Sequence, residues 1–214
     1  MKKLGLVVFL LCAVSAFAGT ANVSTGLDAS GHLITADGGF DAHWLVQQAS
    51  GQFTPAQVVM PQDPDWFGGW LPNGPNSDWI ARNAFVTNNG PAPYSFTTTF
   101  SLLDTTNASF SGGWAIDDGG TLSLNGNLIS SLGSGNWGSL TPFSVDASSG
   151  DFVVGLNTIT ITITSSDQFL EGVRMDGTVS GDLGGGTTPE PSSLLLLGTG
   201  LVGAFGVIRR KLSQ

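Results

Sequence analysis

Apolar and polar residues alternate along the middle of this 214-residue chain, the period-two signature of strands with one buried face. In residues 94–102, Tyr94, Phe96, Phe100 and Leu102 share one face, while the other carries mainly serine and threonine. In residues 157–164, Ile159, Ile161 and Ile163 alternate with threonines; a one-residue slip would turn all three to water, so the pattern sets the register. Residues 109–116, 121–124, 142–145 and 172–179 read as further strands, and residues 32–35, 43–47 and 57–60 as weaker ones. Asn125-Gly126 predicts a tight hairpin whose two central residues take positive φ. Asp118-Gly119-Gly120 predicts a second turn. No amphipathic helical period interrupts this series. Short strands at such spacing predict an all-β fold, an antiparallel β-sandwich. Residues 61–75, rich in Pro, Gly, Trp and Asp, form a loop of a length that is often functional.

The two ends follow a different pattern. Lys2-Lys3, an apolar run to Phe17 and the small residues of Ala16-Phe17-Ala18 predict a secretory signal peptide over residues 1–18, cleaved before Gly19. At the other end, residues 192–208 are apolar, with Gly198, Gly200, Gly203 and Gly206 among them, and are followed by Arg209, Arg210 and Lys211. Seventeen residues are at the short limit for spanning a bilayer core of about 30 Å, and the glycines lower helix propensity. The basic stub stops transfer and stays cytoplasmic. A signal helix and a transmembrane helix therefore flank the sandwich. The expected organisation is a signal peptide (1–18), one domain (19–180), a Gly-rich linker (181–188) and a C-terminal segment (189–214).

Charge and cysteine content narrow the function. Between the two ends stand two basic residues, Arg82 and Arg174, against fifteen acidic ones, a formal charge of −13. Such a surface repels nucleic-acid phosphates, so no nucleic-acid partner is expected. Cys12 lies inside the signal, and Leu11 before it is too large for lipoprotein processing, so the exported domain has no disulfide. Burial and strand pairing must hold it together.

Two groups of residues carry a resemblance. Pro189-Glu190-Pro191, the apolar span and Arg209-Arg210-Lys211, in that order, resemble the PEP-CTERM sorting signal of Gram-negative, biofilm-forming bacteria. Trp79-Ile80, Gly113-Trp-Ala-Ile-Asp117, Leu124-Asn-Gly126, Gly155-Leu-Asn157 and Gly172-Val-Arg174 resemble the galactose-binding-like jelly rolls of PEP-CTERM proteins and of carbohydrate-binding modules beside glycoside hydrolases. The resemblance implies a jelly-roll sandwich and an exosortase-type enzyme that recognises Pro189, Glu190 and Pro191. It also implies transient tethering at the inner membrane, then residence at the cell surface or in the extracellular polysaccharide matrix, with a carbohydrate ligand. The bland alternative for the tail is an ordinary single-pass anchor. For the domain, it is a structural or adhesive matrix protein without a sugar site.

A sugar site needs aromatic faces and hydrogen-bonding side chains in a concavity. Trp66, Trp70 and Trp137 sit in loop-like sequence and are candidate stacking rings, with Asp117, Asp118 and Arg174 as candidate polar contacts. Trp44, Trp79 and Trp114 lie in or beside strands and read as core. Asp117-Asp118 before Gly-Gly also fits a turn, and Arg174 also fits a structural pair with Asp117 or Glu171. Beside Arg174, Glu171 reads as a paired surface charge. No catalytic residue is expected: the two histidines, the missing cysteine and the lack of a nucleophile-elbow motif leave enzymes unsupported. No cofactor is expected from the residues. The resemblance adds that such domains often carry a structural calcium ion, but EF-hand spacing is absent, and Asp28-Ala-Ser-Gly31 and Asp37-Gly-Gly fit turns.

Overall fold

The computed structural model describes residues 19–60, 69–84, 90–165 and 171–184, which form ten antiparallel strands. The signal segment, Trp66, the linker beyond Gly184, Pro189-Glu190-Pro191 and the C-terminal apolar span with its basic stub lie outside the described residues. In chain order the strands are β1 (Gly19–Asn22), β2 (Phe40–Gln47), β3 (Phe53–Val59), β4 (Trp79–Ala81), β5 (Tyr94–Asp117), β6 (Gly119–Leu124), β7 (Asn127–Leu132), β8 (Thr141–Asp146), β9 (Gly155–Ser165) and β10 (Gly172–Leu183). The only helical turn among the described residues is a 3-10 turn at Ala147–Ser149, capped by the Asp146 side chain. This is the all-β sandwich in jelly-roll arrangement that the alternation and the resemblance imply.

Strand β5 organises the fold. Its first half pairs with β2 on one side and β9 on the other, and its second half with β10 and β8. The alternation had suggested two strands, because residues 104–107 are Asp-Thr-Thr-Asn. They remain one strand because Leu102 and Asp104 still pair with Leu183 and Asp182, through bulges where the strand passes from one layer to the other. The apolar faces of both layers meet in one core. Phe96, Phe110, Trp114, Ile116, Ile159, Ile161, Ile163, Val173 and Met175 are all fully buried there. Each such side chain contributes about 1.5–3 kcal/mol of burial.

Two turn expectations fare differently. Asn125 (φ 51°) and Gly126 (φ 85°) close the β6–β7 hairpin with the predicted positive φ values. Gly119 and Gly120 instead open β6. A Cβ on Gly120 would stand 2.1 Å from the Thr162 carbonyl oxygen, so glycine serves close strand packing there. Of the weaker strands, residues 43–47 lie in β2 and 57–59 in β3, whereas residues 32–35 contribute only the Leu27–Leu33 bridge. The sheet also extends past residue 180, since β10 continues to Leu183.

Candidate functional site

Trp70, Trp137, Asp117 and Arg174 gather on the side of the β4–β10–β5 layer that faces away from the main core. Strand alternation causes this: Ile80, Trp114 and Ile116 point to the core, while Trp79, Ala81 and Ala115 build a second apolar cluster on the opposite side. Residues 69–77 fold over that cluster. Trp70 is 7% exposed, lies with its ring centroid 4.0 Å from that of Trp79 and donates its indole N–H to Asp117 Oδ2 at 2.7 Å. Trp137 is half-buried against the cluster, and its carbonyl accepts the Leu71 N–H. Glycine is required at 172, where a Cβ would stand 2.7 Å from the Trp70 ring. Asp118 is half-buried at the bend between β5 and β6. Trp44, Trp79 and Trp114 are fully buried, as their strand register implied.

The two charged pairings expected of Arg174 and Glu171 are replaced by others. Arg174, 3% exposed, donates to Ser77 Oγ at 2.9 Å and to the backbone carbonyls of Pro72 and Gly74. Burial pulls its guanidinium below the ordinary arginine range, while Asp78 and Asp176 act in the opposite direction. Its role is to pin the 72–77 turn to β10. Glu171 is not a surface charge but fully buried, and its Oε2 accepts the Tyr94 hydroxyl at 2.9 Å. Burial and the adjacent Glu171 carboxylate both push the Tyr94 hydroxyl far up, so it stays a donor. Arg82 completes this group with its guanidinium carbon 3.7 Å from the Tyr94 ring centroid and its Nε donating to the Gln47 carbonyl.

The turn that Arg174 pins forms one wall of an open cleft of about 530 Å³, which sequence reasoning missed. Its floor is the β1–β10 edge, where Asn22 stands opposite Thr178, and its far wall is the loop through His32. Asp41, buried at the base of that loop, accepts the N–H groups of Gly26, His43 and Trp44. Burial raises the Asp41 carboxyl, and those three donors work against it. Gly26 turns at φ 83° so close to Asp78 that a Cβ would lie 2.5 Å from the Asp78 Cβ. Asp28 closes the loop by accepting the Ser30 and His32 N–H groups, which hold its carboxyl below the usual range. Across the cleft, Asn76 Nδ2 donates to Asp176 Oδ2 at 2.9 Å. Amides, hydroxyls and a carboxylate thus converge on a concavity whose volume suits a small ligand. No local sequence signal marked it, because Asn76 and Asp176 are 100 residues apart in the chain.

Among the described residues no three acidic, histidine or cysteine side chains converge as a metal set. Asp28 caps its own loop, and Asp37 accepts the Met60 N–H.

A two-layered antiparallel β-domain with a polar edge cleft is the class that fold and site define. Residues 187–211 match the PEP-CTERM protein-sorting motif, spanning Pro189-Glu190-Pro191, the apolar run and Arg209-Arg210-Lys211. No curated protein matches the chain. Among solved structures, the chain is similar to a family 35 carbohydrate-binding module from Cellvibrio japonicus Abf62, at 18% identity over 67% of this chain and 94% of that one, with a TM-score of 0.34. A family 35 module from Clostridium thermocellum aligns at 14% identity over 65% and 98% of the two chains, TM-score 0.34. An FMN-binding β-glucuronidase from Facaelibacterium prausnitzii L2-6 aligns at 16% identity over 77% of this chain and 23% of its own, TM-score 0.36. At these identities and scores the likeness assigns no role to any residue.

Proposed function

We propose that this chain is an exported, non-enzymatic envelope protein, processed at its C-terminal sorting segment by an exosortase-type enzyme, whose sandwich binds carbohydrate of the extracellular polysaccharide matrix. The PEP-CTERM match at residues 187–211 supports the sorting half. The observation that carries the binding half is the cleft of about 530 Å³, lined by Asn22, Asn76, Asp176, Thr178 and His32. Sugar hydroxyls are both donors and acceptors, and this lining offers both. Arg174 supports the 72–77 wall of the cleft through Ser77 and the Pro72 and Gly74 carbonyls, whereas Trp70 and Asp117 are engaged with each other. Trp66, Trp137 and Asp118 remain candidates for a neighbouring aromatic or polar contact. The membrane is a transient partner, through residues 192–208, until processing leaves the domain at the cell surface or in the matrix.

Polysaccharide pull-down with the full chain in detergent tests this reading. Asn22→Ala with Asn76→Ala is expected to weaken binding about tenfold or more, by removing amide donors from the cleft. Binding that survives the pair but is lost in Trp137→Ala would move the site to the tryptophan cluster. Absence of any glycan binding would leave the structural or adhesive reading.

A further inference from the structure

We infer that the cleft selects a sugar bearing a protonated amine, the hexosamine unit of a partly de-N-acetylated polysaccharide, over neutral and uronic-acid sugars. This deepens the carbohydrate reading and rests on it. The first ground is the lack of any lysine or arginine side chain in the cleft lining. Residues 19–184 contain no lysine, and their two arginines are both spent inside the fold. Arg174 is buried and donates to Ser77 and two backbone carbonyls, and Arg82 lies over the Tyr94 ring. A uronate entering the cleft would meet no lysine or arginine side chain there, in a domain of formal charge −13.

The second ground is the geometry of Asp176. One carboxylate oxygen, Oδ2, is held by Asn76, which fixes the group at the cleft wall. Among the described residues no hydrogen bond to the other oxygen is present, and the side chain is only half-buried. A carboxylate held on one side and open on the other suits an ammonium donor, which adds to the hydrogen bond an opposite-charge attraction that the N–H of an N-acetyl group lacks. Neutral Asn22 and Thr178 on the floor remain for the sugar hydroxyls.

Calorimetry near neutral pH, with the full chain in detergent and trimers of glucosamine, N-acetylglucosamine and galacturonic acid, tests the inference. The glucosamine trimer is expected to bind about tenfold more tightly than the acetylated trimer, and the uronate most weakly. Asp176→Asn should level the amine and acetyl forms while keeping the side-chain shape. Asp146→Asn, on β8 beyond β5 and still a competent turn cap, should leave the preference intact. Equal binding of amine and acetyl trimers overturns the inference and leaves the carbohydrate reading standing. A preference that survives Asp176→Asn, or is lost equally in Asp146→Asn, marks general attraction to an acidic domain and also overturns it. If no trimer or polysaccharide binds, both fall.

Discussion

Asp78 is 3% exposed, and burial raises its carboxyl to about 6, although Arg174 and the Gly74 N–H both hold it down. Because the folded-state pKa lies above the ordinary aspartate value of 3.8, the folded protein binds the extra proton. This group's stabilisation is therefore complete below about pH 4 and is lost as pH rises through about 6. Asp78→Asn is expected to stabilise the domain near neutral pH by on the order of 1–2 kcal/mol, once solvent screening is allowed for. Arg174 keeps Ser77, Asp176 and its two carbonyls in that variant. Urea denaturation at neutral pH and near pH 4 checks this, and a gain that does not shrink in acid would show that the carboxyl is not the cause. The sequence marked none of this, because Asp78 acquires its environment from Thr25, Gly26 and Arg174, which are distant along the chain.

The strands whose two sides differ most in polarity were the ones legible in advance. The isoleucines of β9 and the aromatics of the first half of β5 face one way, and the Asn125-Gly126 hairpin followed from backbone stereochemistry alone. Strand β4 was not legible, because all three of its residues are buried and no alternation survives burial on both sides. The same double burial explains why Trp70 and Trp137, read as loop rings, pack into a second cluster. Glycines within strands carried a different message from turn glycines. At Gly112 a Cβ would lie 2.1 Å from the Asp176 carbonyl oxygen, a backbone atom that cannot swing away. Gly112→Ala is therefore expected to cost about 3 kcal/mol by forcing β5 and β10 apart. A denaturant midpoint shift equivalent to less than about 0.5 kcal/mol would contradict that account.

Across the whole molecule, the composition between the two ends is strongly acidic. Residues 187–211 match the protein-sorting motif, and in the proposed reading the N-terminal segment opens transport and the tail serves as a handle rather than a permanent anchor. Mass spectrometry of the mature protein from its native envelope is expected to show a chain beginning at Gly19 and lacking residues 209–214. A mature chain that retains Arg209, Arg210 and Lys211 would support an ordinary tail anchor.

By itself the sequence determined the strand class, the hairpin, the charge and the sorting tail. Each of these is local or compositional, and a short window of residues carries the whole signal. Tertiary structure alone decided that Glu171 is an interior partner of Tyr94 and that Arg174 braces a turn. It also brought Asn22, Asn76 and Asp176 around one cleft. The physical reason is that a side chain's environment in a sandwich is set by register between strands far apart in sequence. Whether a polar residue meets water, a backbone carbonyl or a ligand is decided only when those strands pair.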